Sequence, residues 1–390
     1  LRGRGLVLAY GFHRKKPPSN IPIVSGAALL LVALVCPAAA HASGATAATA
    51  TAATVDTLVV TAETLDTADA PTTAGLVTRI ELDAESEFRS AADLLGTVAG
   101  LQVSRTGGYG SSAVPSLRGS TAGQIRYLLD GVPLNGARGG TAPLENLPLE
   151  RVEALEVHRG VVPADLGGIG GAGAVNLITS PETAGTGATM RGGSFGELGG
   201  RLAVSGTDGA FDGTLLAHGH RADNDFEFTD HNQTFHRTDD DSVRTRENAW
   251  VEEWGVWGAG RWTGKATTVR VSAGHRRRDG GRPGPLGYES PHASVRYERT
   301  DAAVHLTALE SDLRFLVAGS RSDDRLDDPE GETGGFSPPG TWRSEARDAT
   351  ARLQWAGILM PGLLEASAGL EGRGQWGVDS FREVEEPEKT

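Results

Sequence analysis

The chain has 390 residues with 54 glycines, 19 prolines and one cysteine, and its formal net charge is −13. An acidic balance excludes a dedicated nucleic-acid binder, which needs a basic footprint, and glycines without a G-X-Y period exclude collagen. Past residue 45 no apolar run reaches the ~20 residues of a membrane-spanning helix, so a Gly-rich, β-rich chain is expected, and a membrane protein that crosses with strands still fits.

Arg14-Lys15-Lys16 precedes an apolar stretch, Ile21–Val35, and both Ala38-Ala39-Ala40 and Ala40-His41-Ala42 fit a small-x-small cleavage site. Residues 1–42 read as a cleaved export signal; a first residue of Leu1 rather than Met leaves the true start open. Cys36 is not a good lipidation site, because Val35 stands where a small residue is expected. Cleavage removes it and leaves a mature chain without cysteine. Residues 43–69 form a flexible segment carrying Asp56, Thr57, Leu58, Val59, Val60, Thr61 and Ala62. A β-branched heptamer between polar tethers cannot bury itself locally. It suits either addition to a partner's sheet edge or the first strand of the following domain.

Residues 70–183 read as a small α+β domain. Ser90-x-x-Asp93 is close to a capping box, Leu94, Leu95 and Val98 share a helical face, and Gly100 is the expected C-cap. Short strands are predicted at 101–104, 125–130, 154–157 and 174–179, separated by glycine loops at 107–110, 136–140 and 167–173. Gly168-Ile169-Gly170-Gly171-Ala172-Gly173 satisfies G-x-G-x-x-G, but the strand expected after it argues against a dinucleotide site, which needs a helix there.

Five ordered blocks of this segment resemble the plug domain of TonB-dependent outer-membrane receptors. They are Asp93-Leu94-Leu95 with Gly100-Leu101-Gln102-Val103; Leu117-Arg118-Gly119; Leu128-Leu129-Asp130-Gly131-Val132-Pro133-Leu134-Asn135; Arg151-Val152-Glu153-Ala154-Leu155-Glu156-Val157-His158-Arg159-Gly160; and Gly171-Ala172-Gly173-Ala174-Val175-Asn176-Leu177-Ile178-Thr179. The compact run looks closest to cobalamin and small-siderophore plugs. It departs from the family at Asp165-Leu166-Gly167-Gly168, where a Tyr-Gly-Ser-like step is usual, and at His158, usually apolar. The resemblance implies that Asp56–Ala62 is a TonB box, which pairs with TonB as an added strand driven by ExbB–ExbD. It implies apical ligand contacts at Gly107, Gly108, Tyr109, Gly110, Ser111, Ser112, Asn135, Gly136, Ala137 and Arg138. It also implies that Arg118 and Arg159, enclosed in a barrel, pair with carboxylates of the wall.

Residues 184–390 read as antiparallel barrel strands. Leu198, Leu202 and Val204 share one face, as do Phe211, Leu215 and Ala217, Val269 and Val271, Leu313, Phe315 and Val317, and Leu353 and Trp355. Asp212, His218, Arg270, Arg352, Gln354, Glu365 and Arg373 fall on the opposite faces. Short links are expected at 206–210, 263–266, 309–312 and 359–362, and long polar links at 222–246, 276–291 and 323–345, with a tight first link at 193–197 as the exception. That alternation is the outer-membrane barrel layout. Trp250, Trp254 and Trp262 share parity and are expected to mark the aromatic girdles. About nine strands are expected, of the ~22 in plugged transporters, so the barrel reads as incomplete.

The acidic link offers Asp223, Asp225 and Asp230 as weak calcium candidates. His218 and His220 lie two apart on the lumen face, too few for a metal site alone. Arg276-Arg277-Arg278 offers charge to lipopolysaccharide phosphates or to solvent. No nucleophile–base–orienter spacing emerges, so neither an enzyme nor a cofactor is expected. About 14 residues between the cleavage site and the box are too few for a periplasmic signalling domain. The expected protein is a monomeric outer-membrane receptor taking up a siderophore, cobalamin or other metal chelate. Its rivals are an exported soluble β-rich binding module or adhesin without TonB coupling, and a secreted enzyme built on the glycine segment.

Overall fold

The computed structural model describes residues 76–383 apart from 83–88, 106, 108, 136–140, 161, 163–165, 167–170, 180–184, 233, 235, 286, 309–311, 334–337 and 361–363. The signal, the tether and Asp56–Ala62 therefore lie outside the described residues, as do Gly108, Gly136, Ala137 and Arg138.

The N-terminal part is a mixed sheet with short helical pieces. Its strands are β1 (Leu76–Glu81), β4 (Ile125–Leu129), β5 (Val132–Pro133), β6 (Ala154–Arg159) and β7 (Gly173–Ile178), in the order β1-β6-β7-β4-β5. β4 runs parallel to β7 and the other pairs are antiparallel. A separate pair, β2 (Leu101–Arg105) with β3 (Ala113–Leu117), packs beside it. The sequence reading lacks β1, β3 and β5, which are short strands with no long run of apolar alternation to announce them.

Helix α1 (Ala91–Gly96) starts where the capping box places it: Ser90 Oγ accepts from Asp93 N at 3.2 Å, and Asp93 Oδ2 accepts from Ser90 N at 3.1 Å. It ends earlier than expected. Thr97 is the C-cap, and its hydroxyl donates to Leu94 O at 2.7 Å. Gly100 instead takes φ +84 at the turn into β2.

Leu95, Leu117, Ile125, Tyr127, Leu155, Val157, Val175 and Leu177 form one sealed core on the α1 side. Leu128, Val162, Leu166 and Ala174 form a second, smaller cluster. Adjacent residues Tyr127 and Leu128 join different clusters, as the two-residue strand period requires. Burial without a charged neighbour pushes the Tyr127 hydroxyl's pKa up.

The last glycine of G-x-G-x-x-G opens β7, and no helix follows it. Gly173 sits at φ +148, where a Cβ would overlap the His158 carbonyl oxygen and come within 2.8 Å of Leu117. Gly173→Ala combines a backbone strain with overpacking, and is expected to destabilise the domain by about 3 kcal/mol. Amide exchange in β6 and β7 reads this directly; unchanged protection would refute it.

The remainder is one antiparallel meander of nine strands, in the order β18-β17-β16-β15-β14-β13-β10-β9-β8, with no closure between β8 and β18. They are β8 (Gly185–Gly192), β9 (Leu198–Asp208), β10 (Phe211–Ala222), β13 (Val251–Thr263), β14 (Thr267–Gly281), β15 (Ser294–Ala308), β16 (Leu313–Asp328), β17 (Gly340–Met360) and β18 (Leu364–Glu383). β11 (Glu227–Asp230) and β12 (Ser242–Thr245) pair as a hairpin within the link from β10 to β13. The meander puts links 193–197, 223–250, 282–293 and 329–339 at one end and the short turns at the other.

Leu202, Leu215, Trp254, Trp262, Val271, Val304, Phe315 and Leu353 are all exposed on one face. Their parity partners Trp257, Glu253, Arg276 and Arg352 are buried on the other. This is the reverse of a soluble protein's usual burial and the pattern of a wall whose outer face meets lipid.

The strands are longer than the reading allows. The segments 276–281 and 323–328 are ladder, not loop. At ~3.3 Å per residue, the 16 residues of β16 overrun an apolar band ~25 Å tall even when tilted. Beyond the band both faces are free to be polar, so the apolar alternation stops while the hydrogen bonds continue. Charge pairs replace it: Asp279 lies opposite Arg296, 2.5 Å from its Nε, and Arg321 reaches Glu345 at 3.2 Å.

Candidate functional site

The lumen face of the wall holds the small domain, and the contacts are ionic. Arg151, whose side chain is 4% exposed, places Nη2 3.0 Å from Asp301 on β15, with its guanidinium 5.9 Å from the Trp257 ring. Arg126 on β4 reaches Glu371 on β18 at 2.8 Å, and Arg352 binds the same carboxylate at 2.7 Å. Arg270 meets Asp130 at 3.2 Å. Asp130 and Gly131 both have positive φ in the tight turn between β4 and β5, as a two-residue hairpin loop demands. The Asp130 carboxylate also accepts from Thr179 N at 2.9 Å.

Other wall side chains grip main-chain oxygens of the domain. Arg201 Nε donates to Glu150 O at 3.1 Å, Arg276 Nη2 to Glu145 O at 3.3 Å, Arg270 Nη2 to Thr179 O at 3.0 Å and Arg373 Nη2 to Asn135 O at 2.7 Å. Arg278 donates to Gly110 O and to Asn146 Oδ1.

These findings correct two expectations. Arg159 stays inside the domain, donating to Ala99 O at 3.1 Å and Thr78 Oγ1 at 2.8 Å. Arg118 sits at φ +53 and packs its stem on Gly100. Among the described residues, Arg126 and Arg151 are plug cations that cross to wall carboxylates. Arg126 is visible in the sequence as a lone charge inside the apolar run Ile125–Leu129, whereas Arg151 stands between Glu150 and Glu153 and carries no such signal. Of the basic triplet, Arg276 and Arg278 point into the lumen, while Arg277 pairs with Asp279 at 2.6 Å.

The expected apical loop is held rather than open. The Tyr109 ring stacks 4.1 Å from His220, and Tyr109 O accepts from Asn224 Nδ2 at 3.0 Å. Burial pushes the Tyr109 hydroxyl's pKa well up. Gly107 and Ser112 are exposed, and Ser111 Oγ is enclosed with no partner among the described residues. Asn135 is buried; its Oδ1 accepts from Tyr127 N at 2.7 Å and its Nδ2 donates to Ile125 O at 2.9 Å, bracing β4.

Beneath this loop lies a crevice of about 70 Å³, lined by Tyr109, Glu145, Glu150, His218, Glu253 and Arg276 among others. His218 and His220 both face it from β10. His218 Nε2 lies 3.7 Å from Glu150, and His220 Nε2 lies 3.4 Å from Glu197. Arg276 and Glu253 pair at 2.8 Å, both buried.

Burial raises the Glu145 carboxyl's pKa. A carboxyl raised in the fold contributes most favourably below its unfolded pKa, and that contribution is lost as pH rises through the folded value. Glu145→Gln is therefore expected to stabilise the domain at pH 7.5 and to lose that gain at about pH 4. Denaturation at the two pH values checks it; an equal gain at both would contradict the assignment.

The calcium candidates do not converge. Asp223 abuts Gly196, Asp225 is exposed, and Asp230 is bound by Arg244 at 2.9 Å and by Asn232 N at 3.0 Å. The Arg244 guanidinium holds the Asp230 carboxyl below the usual range.

Residues 66–175 match the family model described as TonB-dependent Receptor Plug Domain. The chain is 32% identical over 123 residues to the vitamin B12 transporter BtuB of Vibrio vulnificus, covering 32% of this chain and 20% of that protein. It is 34% identical over 132 residues to the vitamin B12 transporter BtuB of Photobacterium profundum, covering 33% and 22%. The chain thus spans about one fifth of the length of these curated relatives.

Among solved structures, the copper transporter OprC superposes with a TM-score of 0.61 at 18% identity, over 78% of this chain and 47% of that one. The siderophore receptor PirA of Acinetobacter baumannii gives 0.54 at 15% identity, over 78% and 48%. A variant of the ferric enterobactin receptor PfeA of Pseudomonas aeruginosa gives 0.54 at 17%, over 78% and 50%. The chain resembles TonB-dependent receptors of the cobalamin and siderophore type, with a plug followed by part of a barrel wall.

Proposed function

We propose that this plug, seated against a barrel wall, serves TonB-dependent uptake of a scarce nutrient across the bacterial outer membrane. The observation that carries the reading is the two-faced sheet: an apolar band turned outward, and arginines turned inward onto the plug. A soluble binding module would bury that band. In this reading residues 1–42 direct export, 43–69 carry the TonB box, 70–183 form the plug and 184–390 the wall. The nutrient is a siderophore, cobalamin or another metal chelate; the names of the relatives, which carry vitamin B12, copper or ferric enterobactin, support that class.

In this mechanism the chelate docks on the outer links, on the exposed apical positions Gly107 and Ser112, and on residues 136–138, which the resemblance adds to the apical set. Asp56–Ala62 is then taken up by TonB as an added strand, and ExbB–ExbD supply the energy. The pull must break the contacts that hold the plug: Arg151–Asp301, Arg126–Glu371 and Arg270–Asp130. The chain itself makes and breaks no covalent bond.

Uptake of labelled cyanocobalamin and ferric siderophores by cells expressing the receptor tests this. Accumulation is expected to fall to background when TonB is depleted. Equal accumulation without TonB, or recovery of the protein in the soluble periplasm, would overturn the reading.

A further inference from the structure

Three metal-type side chains meet between two links at the end of the wall opposite the short turns. His292 comes from the link between β14 and β15; Glu330 and Glu332 come from the link between β16 and β17. Their donor atoms all lie within 4.8 Å of one another. His292 Nδ1 is 2.9 Å from Glu332 Oε1 and 3.4 Å from Glu330 Oε1. A tetrahedral ion with bonds of about 2.1 Å spaces its donors by about 3.4 Å; the His292–Glu330 separation already fits, the His292–Glu332 one needs to open by about 0.5 Å, and the two carboxylates lie within 4.8 Å of each other.

The backbone carrying these groups is fixed without any ion. Asp328, fully buried, accepts from Glu332 N at 2.7 Å, Thr333 N at 2.8 Å and Thr333 Oγ1 at 2.6 Å. Ser290, also fully buried, donates from Oγ to Glu332 O at 3.1 Å. His292 N donates to Glu332 Oε2 at 2.9 Å. Asn248 Nδ2 bonds the carbonyls of Ser290 and Ala293 at 2.6 and 2.7 Å. The two links are thus stitched together beneath the cluster, while His292 and Glu330 remain exposed above it.

We propose that His292, Glu330 and Glu332 bind a free divalent transition cation of the zinc, copper or nickel class, which clamps the two links together. An imidazole nitrogen with two carboxylates suits these ions; calcium takes oxygen donors in larger number. Three protein donors leave an open position toward solvent for water or an incoming ligand. The site is independent of which nutrient the receptor carries. It is also distinct from the aspartates of the first long link, which the structure keeps apart.

The test uses the full-length receptor in detergent, with Zn²⁺ alone as the titrant. One ion is expected at this site, bound at least tenfold more weakly in His292→Ala and in Glu330→Gln. Zn²⁺ is expected to slow amide exchange in 282–293 and 329–333 in the wild type and in neither variant. Cu²⁺ in the same site is expected to show coupling to one imidazole nitrogen, lost in His292→Ala. Both substituted side chains are exposed, and heat-modifiable mobility on gels verifies that each variant barrel is folded. Unchanged Zn²⁺ affinity and stoichiometry in both variants would overturn the proposal, as would calcium giving the same protection in wild type and His292→Ala.

Discussion

Proline at Leu58 or at Val59 is expected to reduce energised uptake to the level of cells without TonB, while ligand binding at the cell surface is unchanged. Consecutive residues of an added strand direct their N–H groups to opposite edges, so one of the two positions donates to the partner. Proline removes that donor, whereas a side-chain change at the same position removes only a pocket contact. The affinity of strand addition lies mainly in main-chain bonds, so Leu58→Pro or Val59→Pro is far more damaging than Leu58→Ala. Normal accumulation in both proline variants would remove Asp56–Ala62 from the mechanism while leaving the plug and wall intact. Loss of surface binding would instead point to a folding role for the segment.

Arg151→Ala is expected to weaken the seating of the plug by about 3–5 kcal/mol, the scale for removing one partner of a buried ion pair. Arg151 is 4% and Asp301 18% exposed at the side chain, so bulk water replaces little of the lost partner, and Arg299, 3.9 Å away, is left as the nearby cation. The Trp257 face loses its cation as well. Faster amide exchange in β6 and β7, together with leakage of large antibiotics through the wall, would report the loosened plug. Arg151→Met combined with Asp301→Leu removes both charges and is expected to restore much of the stability. A double variant as damaged as Arg151→Ala would show that steric fit, not the stranded charge, sets the cost.

The plug is legible in the sequence because its signals are local. Ser90 and Asp93 announce a helix start, Asp130-Gly131 announces a tight turn, and 154–157 and 174–179 are compact apolar runs. The helix stop is the exception, because Thr97 caps with its hydroxyl and leaves Gly100 free to serve the next turn. The wall is legible wherever one face meets lipid, since only there does the two-residue apolar period persist. It becomes illegible at 276–281 and 323–328, where cross-strand charges such as Asp279–Arg296 carry the ladder on.

The contacts between plug and wall are least legible of all. Arg118 and Arg159 stand out for preceding glycine, yet enclosure depends on which face of the plug a strand presents. That is decided by the β1-β6-β7-β4-β5 order and not by neighbours in the chain. Tyr109 reads as a ligand contact through the resemblance alone, which carries over the apical loops of compact plugs. His220, Asn224 and Arg278 arrive from strands and links more than a hundred positions away and close over it.

Five of the wall's arginines, Arg201, Arg270, Arg276, Arg278 and Arg373, end on peptide oxygens of the plug. A peptide oxygen is the same whatever residue bears it. At these five points the wall holds the plug by the path of its backbone, whereas Arg126, Arg151 and Asp130 hold it by their own charges. Residues such as Glu150 and Glu145 keep their anchor through any substitution that keeps their backbone. Plug side chains at those five points are free to change, and the frame need not change in step.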